Sequence, residues 1–298
     1  MRRFLRRLLL LALLPALVFG ALFGYRLVHV MRELDSSPLK RIYSDSRLDS
    51  LQQIGHKIIL IGGSNLRFGI DRHLLQRETN QQVVSFGYAR TDGLENMLHL
   101  ADRVYRDGDV ILLSLEYGER TKGSSGDLLD FYLYQDYLSI LRYVSKTLLS
   151  SEEDNTFYSQ EEEMERQAVY AGFDESFYLY RLDSTRANFR KLHLYDARGT
   201  VLTYDEADKG ILQKYLRKPG KSIFGVHPAL CLQVLSQHNR DSVRLGLLDT
   251  LPIPYITRQS DYLYDTAFIF DYPYHVNARG REMRTRRLAG DIRSAGLR

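Results

Sequence analysis

The chain has 298 residues and 44% apolar content, which is enough to fill an ordinary core, so an ordered domain is expected. Its 41 basic and 37 acidic residues nearly balance, and no basic stripe is interleaved with aromatic residues, so nucleic acid is not an expected partner. The single cysteine, Cys231, excludes an intramolecular disulfide and a CxxC metal or redox site. No nucleotide-binding glycine motif and no metal-ligand cluster is visible, and we predict no cofactor and no metal.

The N-terminal segment is basic and then strongly apolar. Leu8 to Tyr25 is an uncharged run near the length that spans a bilayer as a helix, and four arginines precede it. This pattern predicts a single transmembrane anchor within residues 1–28, with the remaining chain on the extracytoplasmic, periplasmic side of the inner membrane. A cleaved signal peptide is the alternative, because Val18-Phe19-Gly20 offers small residues at a cleavage point. Both interpretations place the catalytic portion outside the cytoplasm.

Three short apolar runs follow a polar connector at residues 29–55, and they open a domain predicted for residues 56–298. The runs are Lys57–Ile61, Gln82–Phe86 and Asp109–Leu115, and helical stretches at Asp71–Thr79 and Asp92–Tyr105 separate them. Strands that alternate with helices at this spacing predict a three-layer α/β/α fold with a mainly parallel sheet. Ligands of such sheets bind at the carboxyl ends of the strands, so chemistry is expected directly after each run.

The second half of the domain is predicted to begin with a helical insertion at about residues 121–220 that covers the active end of the sheet. The strand pattern resumes at Lys221–His227, Ile253–Thr257 and Ala267–Asp271, and a closing helix begins near Ala278. The basic run from Arg279 to Arg287 is expected to be the solvated face of that helix.

A serine and a histidine stand where the predicted strands end. Ser64 follows Gly62-Gly63, where a serine is by itself most often turn or cap chemistry. A serine nucleophile needs a base, and His275 lies on a loop four residues after Asp271, a carboxylate that could orient the imidazole. The three residues together predict a catalytic triad of Ser64, His275 and Asp271.

These segments resemble three blocks of the SGNH/GDSL hydrolase superfamily. Gly62-Gly63-Ser64-Asn65 is similar to the first block, Ser85-Phe86-Gly87-Tyr88 to the second, and Asp271 through Gly280 to the last. The resemblance covers about residues 57–120 and 250–295. It implies an SGNH or flavodoxin-like sheet, and an oxyanion hole made of the backbone amides of Ser64 and Gly87 with Asn65 as a side-chain donor. The alternative interpretation of Asn65 is a polar residue at the start of a helix.

Two positions depart from the superfamily pattern. Three residues separate Asp271 from His275, where the superfamily usually has two, so Asp265 is an alternative acid. The third block, which normally supplies an asparagine to the oxyanion hole, has Ser114-Leu115-Glu116-Tyr117 here. We interpret Glu116 as a buried, hydrogen-bonded structural carboxylate, because buried charges are normally paired.

The resemblance implies ester chemistry on a cell-envelope glycan through an acyl-enzyme on Ser64. Transfer of the acyl group to water makes an esterase, and transfer to a sugar hydroxyl makes an O-acyltransferase. Similar anchored proteins accompany polysaccharide O-acetylation and D-alanyl transfer, where a multipass membrane protein delivers the acyl group. Two alternatives are kept: a catalytically silent protein of this fold that binds glycan or a membrane partner, and a soluble cytoplasmic enzyme.

Overall fold

A computed structural model describes residues 1–36, 44–87, 93–118, 124–149, 202–217, 220–246, 248–270 and 273–297. In this part of the chain ten α-helices are found: α1 Arg2–Ser36, α2 Asp45–Gln53, α3 Ser64–Gly69, α4 Arg72–Thr79, α5 Leu94–Val104, α6 Ser124–Tyr134, α7 Tyr137–Leu149, α8 Glu206–Leu216, α9 Gln237–Leu245 and α10 Ala278–Ser294. The strands in it are β1 Lys57–Gly62, β2 Gln82–Gly87, β3 Val110–Ser114, β4 Ser222–Gly225, β5 Leu230–Cys231 and β6 Leu263–Tyr264.

The main sheet is parallel throughout and has the strand order β2-β1-β3-β4. Gly62, at the end of β1, pairs with Gly87 of β2 and with Ser114 of β3, so the carboxyl ends of these three strands are level. From β1 the chain runs to β2 on one side of it, and from β2 it crosses back to β3 on the other side. The gap between β1 and β3 is therefore the switch point at which ligands of open parallel sheets bind.

Strand β1 lies at the centre of two hydrophobic layers, and all six of its residues are buried. Ile59 and Ile61 face a cluster that includes apolar side chains of α2, α5, α8 and α9. Ile58 and Leu60 face the opposite cluster, with apolar side chains of α3, α4 and α10. A strand covered on both faces reads as a continuous apolar run, which is why Lys57–Ile61 was recognisable in the sequence.

Two segments predicted as strands are not strands. Ile253–Thr257 contributes an isolated bridge between Tyr255 and Gly225, because the prolines beside Ile253 have no N–H to donate to a ladder. In the described part of the second segment, which ends at Phe270, the chain instead forms a 3₁₀ turn at Thr266–Phe268, and Ile269 then bridges to Val276 in antiparallel fashion. The predicted strands β1 to β4, the parallel sheet and the closing helix are confirmed.

Helix α1 packs its second half on the first part of the predicted insertion. Val30 is buried in a cluster with Ile140, Tyr143 and Val144 of α7. In the described part of the chain, no helix combines the length and the apolar content needed to cross a bilayer, so the anchor predicted at residues 1–28 gains no support. Most of the rest of the predicted insertion, residues 150–201, lies outside the described residues.

A buried ion pair lies at the amino ends of the central strands, on the edge of the sheet opposite Ser64. Lys57 begins β1 and Asp109 immediately precedes β3, and their side chains are 0% exposed with Nζ and Oδ2 2.5 Å apart. The same carboxylate accepts hydrogen bonds from the backbone N–H groups of Lys57 and Arg106, and the Lys57 ammonium also donates to the carbonyl of Ile54. The pair thus fixes the start of two central strands.

Replacing Asp109 by alanine is expected to lower the free energy of unfolding by about 3–5 kcal/mol, because the Lys57 ammonium would be left buried and uncompensated. Equilibrium unfolding in urea measures the loss. Asp107→Ala, two residues away and exposed, is the matched control and should change stability by less than about 0.5 kcal/mol. A loss below about 1 kcal/mol for Asp109→Ala would contradict the assignment.

Candidate active site

Ser64 is the first residue of α3 and stands directly beyond the carboxyl end of β1. The turn is tight, because a Cβ on Gly62 would lie 2.2 Å from the carbonyl oxygen of Ser114. Glycine at position 62 therefore lets β1 approach β3 at the point where the chain turns into the helix. The Ser64 side chain is half-buried, so its hydroxyl is held by the fold and still accessible.

His275 reaches Ser64 from the loop before the closing helix. Its Nε2 atom lies 2.8 Å from Ser64 Oγ, although the two residues are 211 positions apart. The loop is held by two backbone hydrogen bonds, from Phe270 to the carbonyl of His275 and from Asn277 to that of Phe268. Phe68 of α3 packs edge-on against the imidazole, with ring centroids 4.5 Å apart. The pair is within the reach that a serine nucleophile and its base require.

The two candidate acids of the triad are Asp271 and Asp265, and the structure describes only the second. Asp271 lies outside the described residues, so its predicted role of orienting His275 stays a prediction. Asp265 was the alternative, and its exposed carboxylate instead caps the 3₁₀ turn by accepting the N–H of Ala267 and binds the Gln233 amide. The hydrogen bond from Ala267 is the main reason that the pKa of Asp265 is lowered. A carboxylate used as a surface cap does not fit the role of the acid.

Glu116 is buried and hydrogen-bonded, and its partner is the candidate nucleophile. Its Oε1 atom accepts a hydrogen bond of 3.0 Å from Ser64 Oγ and one of 2.9 Å from the backbone N–H of Asn65. The side chain follows β3 by two residues and so lies across the switch point from Ser64. The sequence analysis missed this contact. The signal that could have found it is the level ending of β1 and β3, which places their following residues side by side.

Asn65 does not serve as the side-chain donor that the resemblance implied. Its side chain is 0% exposed, its Nδ2 donates to the carbonyl of Ser114 at 3.1 Å, and its Oδ1 accepts from Ser114 Oγ at 2.9 Å. These bonds join the first turn of α3 to the end of β3. The amide group is therefore turned into the protein and is used to hold the turn.

The backbone donors of the predicted oxyanion hole lie at the same sheet edge. Gly87 ends β2 and pairs with Gly62, two residues before Ser64. Tyr88, the last residue of the second block, lies outside the described residues. The amides of Ser64 and Gly87 are thus the candidate donors, and no side-chain donor is added by Asn65.

The closing helix, α10, contains two buried arginines that were predicted to be solvated. Arg279, Arg286 and Arg287 are exposed as expected, but Arg281 and Arg284 are only 2% and 0% exposed. Arg284 donates to the carbonyl and to Oδ1 of Asn65 at 2.5 and 3.0 Å. It passes close to Gly69, where a Cβ would lie 2.1 Å from the Nη1 atom of Arg284. The helical spacing of the arginines, three residues apart, places both buried ones on one face.

His227 lies just beyond the end of β4 and is a neutral hydrogen-bonding residue. Its backbone N–H and its Nδ1 both lie 2.9 Å from the hydroxyl of Thr257. Burial lowers the pKa of His227 from 6.5 to about 4. The ring stacks on Tyr255 at 4.3 Å, and the carbonyl of His227 accepts from Arg284.

Searches of protein-family models, curated proteins and solved structures gave no match to this chain. In the described part of the chain, no three His, Cys, Asp or Glu side chains are grouped so that they could hold a metal ion. The function is therefore argued from the site geometry and the three sequence blocks.

Stability should fall as the pH is lowered from about 6.5 to about 4, and His227 should account for part of the loss. In this window the unfolded chain protonates residue 227 while the folded chain keeps it neutral, so protons favour unfolding. His227→Gln should show a smaller decrease in the free energy of unfolding between these two pH values, measured in urea. His238→Gln, an exposed control on α9, should behave as the wild type. Equal pH dependence in wild type and His227→Gln would contradict the burial of a neutral imidazole.

Proposed function

We propose that this chain is a serine esterase or O-acyltransferase of the SGNH/GDSL type that forms an acyl-enzyme on Ser64. The observation that carries the proposal is the 2.8 Å contact between Ser64 Oγ and His275 Nε2 at the switch point of a parallel sheet. A serine beside a base at such a position is the usual arrangement for acyl transfer. The strand order β2-β1-β3-β4 also agrees with the flavodoxin-like order of doubly wound sheets.

In the first half-reaction, the Ser64 hydroxyl turns from Glu116 Oε1 to His275 Nε2, and Ser64 Oγ attacks the carbonyl carbon of the acyl donor as its proton moves to that nitrogen. The oxygen of the resulting tetrahedral intermediate would be stabilised by the amides of Ser64 and Gly87. Collapse of the intermediate breaks the bond to the leaving group, which takes the proton from His275. The products are the Ser64 ester and the released alcohol.

In the second half-reaction, an acceptor hydroxyl loses its proton to His275 Nε2 as its oxygen attacks the Ser64 ester. The bond from Ser64 Oγ to the acyl carbon then breaks, and Ser64 recovers its proton from the imidazolium. Water as the acceptor gives a free acid, and a sugar hydroxyl gives an acylated glycan. Asp271 would stabilise the imidazolium in both halves.

The proposed setting is the cell envelope, with a glycan as substrate and a multipass membrane protein as the acyl supplier. The apolar run at Leu8 to Tyr25 and the four arginines before it are the sequence basis for an inner-membrane location. Membrane fractionation with protease protection tests it. A full-length chain that stays in the cytosolic fraction would favour the soluble alternative.

A catalytically silent protein that binds glycan or a membrane partner is the second candidate. It is favoured by Glu116, which stands where the superfamily has an oxyanion-hole asparagine and accepts the hydroxyl of Ser64. A negative charge at this place opposes the development of an oxyanion. The two candidates differ in whether Ser64 reacts with an electrophile that mimics an ester.

Labelling of the full-length chain with a fluorophosphonate probe is expected on Ser64, because the probe reacts only with a serine that has a working base. Ser64→Ala should abolish the labelling, and His275→Ala should slow it by a factor of about 10³ or more. The readout is the rate of covalent modification, with the site identified by peptide mass spectrometry.

Ser50→Ala and His238→Ala are matched controls on exposed positions of α2 and α9 and should label as the wild type. Circular dichroism shows whether each variant is folded. A folded wild type that is not labelled, or labelling that persists in Ser64→Ala, would reject the acyl-enzyme in favour of the silent candidate.

A further inference from the structure

Asn65, the residue that follows the candidate nucleophile, has all of its polar atoms bonded inside the protein. Its N–H donates to Glu116, and its carbonyl accepts from Arg284. Its side chain is shared between Ser114 and Arg284. Since the residue is 0% exposed, water does not compete for any of these bonds. The residue next to Ser64 is therefore held on both sides by charged groups from distant parts of the chain.

Glu116 and Arg284 approach this peptide from different elements. Glu116 follows β3 and also accepts the Ser64 hydroxyl, whereas Arg284 comes from α10, the helix directly after the loop of His275. Arg284 further donates to Ser114 Oγ at 3.4 Å and to the carbonyl of His227 at 3.3 Å. The Arg284 guanidinium thus connects residues at the carboxyl ends of β1, β3 and β4 to α10, the helix that follows the loop of His275.

We propose that Glu116 and Arg284 act as a positioning pair that fixes the Ser64 hydroxyl relative to His275. This inference deepens the proposed function, and it rests on Ser64 being the nucleophile. Hydrogen bonds to charged groups are about twice as strong as neutral ones, so a residue held by two of them is stiffly placed. A misplacement of about 1 Å in such a site can cost a factor of 100 in rate.

The two groups also lie close to each other and to the base. Burial lowers the pKa of Arg284, while Glu116 acts in the opposite direction. Glu116 and His275 both contact Ser64 Oγ, so the carboxylate lies close to the imidazole. The reactivity of Ser64 should therefore depend on the acceptor oxygen at position 116.

Arg281 provides a matched control one helical turn earlier. It is also buried, at 2% exposure, and donates to the carbonyl of Ile70 at 3.0 Å. That contact lies beyond the end of α3 and does not involve the Ser64 turn. Arg281→Met and Arg284→Met each remove a buried guanidinium from α10, and only the second removes the hydrogen bonds to Asn65.

The test uses the full-length chain and measures two quantities for each variant. One is the fluorophosphonate labelling rate of Ser64, and the other is hydrogen exchange at the Asn65 amide by mass spectrometry. Glu116→Ala and Arg284→Met should each lower the labelling rate by about 10- to 100-fold. Glu116→Gln keeps the acceptor oxygen and should recover most of the rate.

The Asn65 amide should exchange at least about tenfold faster in Glu116→Ala, which lacks its acceptor, and as in the wild type in Arg281→Met. The double variant Glu116→Ala/Arg284→Met should be less impaired than the two single effects multiplied, because the pair acts as a unit.

Wild-type labelling rates in both Glu116→Ala and Arg284→Met would overturn the proposal, and so would an equal loss in Arg281→Met. If Arg284→Met does not fold, Gly69→Ala takes its place in the experiment, because the added Cβ displaces the same guanidinium. If wild-type Ser64 is not labelled at all, the proposed function fails, and hydrogen exchange at Asn65 still decides whether Glu116 fixes the turn. The two failures are thus distinguishable.

Discussion

The contact between Ser64 and His275 depends on a parallel sheet whose strands end at one level. Ser64 and Glu116 are adjacent because β1 and β3 pair in register up to Gly62 and Ser114. His275 comes from the far end of the chain, and its position depends on how α10 packs against α3 and α4. The site is thus a property of the whole domain, since no local segment contains both the nucleophile and the base.

Buried charge is found at both edges of this sheet, and it has a different role at each. Lys57 and Asp109 lie at the amino ends of β1 and β3, where a direct ion pair and backbone hydrogen bonds satisfy both groups. At the carboxyl ends, Glu116 and Arg284 bind the Ser64–Asn65 turn from opposite sides. The first arrangement stabilises the fold. The second places charges beside a half-buried hydroxyl, which is costly to stability and is typical of functional sites.

The sequence predicted the central sheet well because its strands are short apolar runs that end in Gly or polar residues. It also selected Ser64 and His275, since a serine after a buried strand and a histidine before the closing helix are visible as patterns. The strand predicted at Ile253–Thr257 was wrong, because apolar content outweighed the prolines. The burial of Arg284 was missed for a similar reason: composition suggests a solvated helix, and only tertiary packing shows which arginines face the sheet.

Asn65 shows a further limit of prediction from sequence motifs. Its place after the candidate nucleophile suggested a donor to the substrate, whereas its amide group is bonded to Ser114 and Arg284. Spacing along the chain gives the position of a residue but not the direction of its side chain. The direction is set by partners 49 and 219 positions away, which cannot be recognised before the fold is known.

Ser64 should carry the acyl group during the reaction. Incubating the full-length chain with p-nitrophenyl acetate, quenching in acid and mapping the modified peptide by mass spectrometry shows which residue is acylated. We expect an acetyl group on Ser64, formed as p-nitrophenol is released, and a far slower acetylation of His275→Ala. Acetylation elsewhere with Ser64 unmodified, or no acetylation of folded protein, would exclude an acyl-enzyme on Ser64.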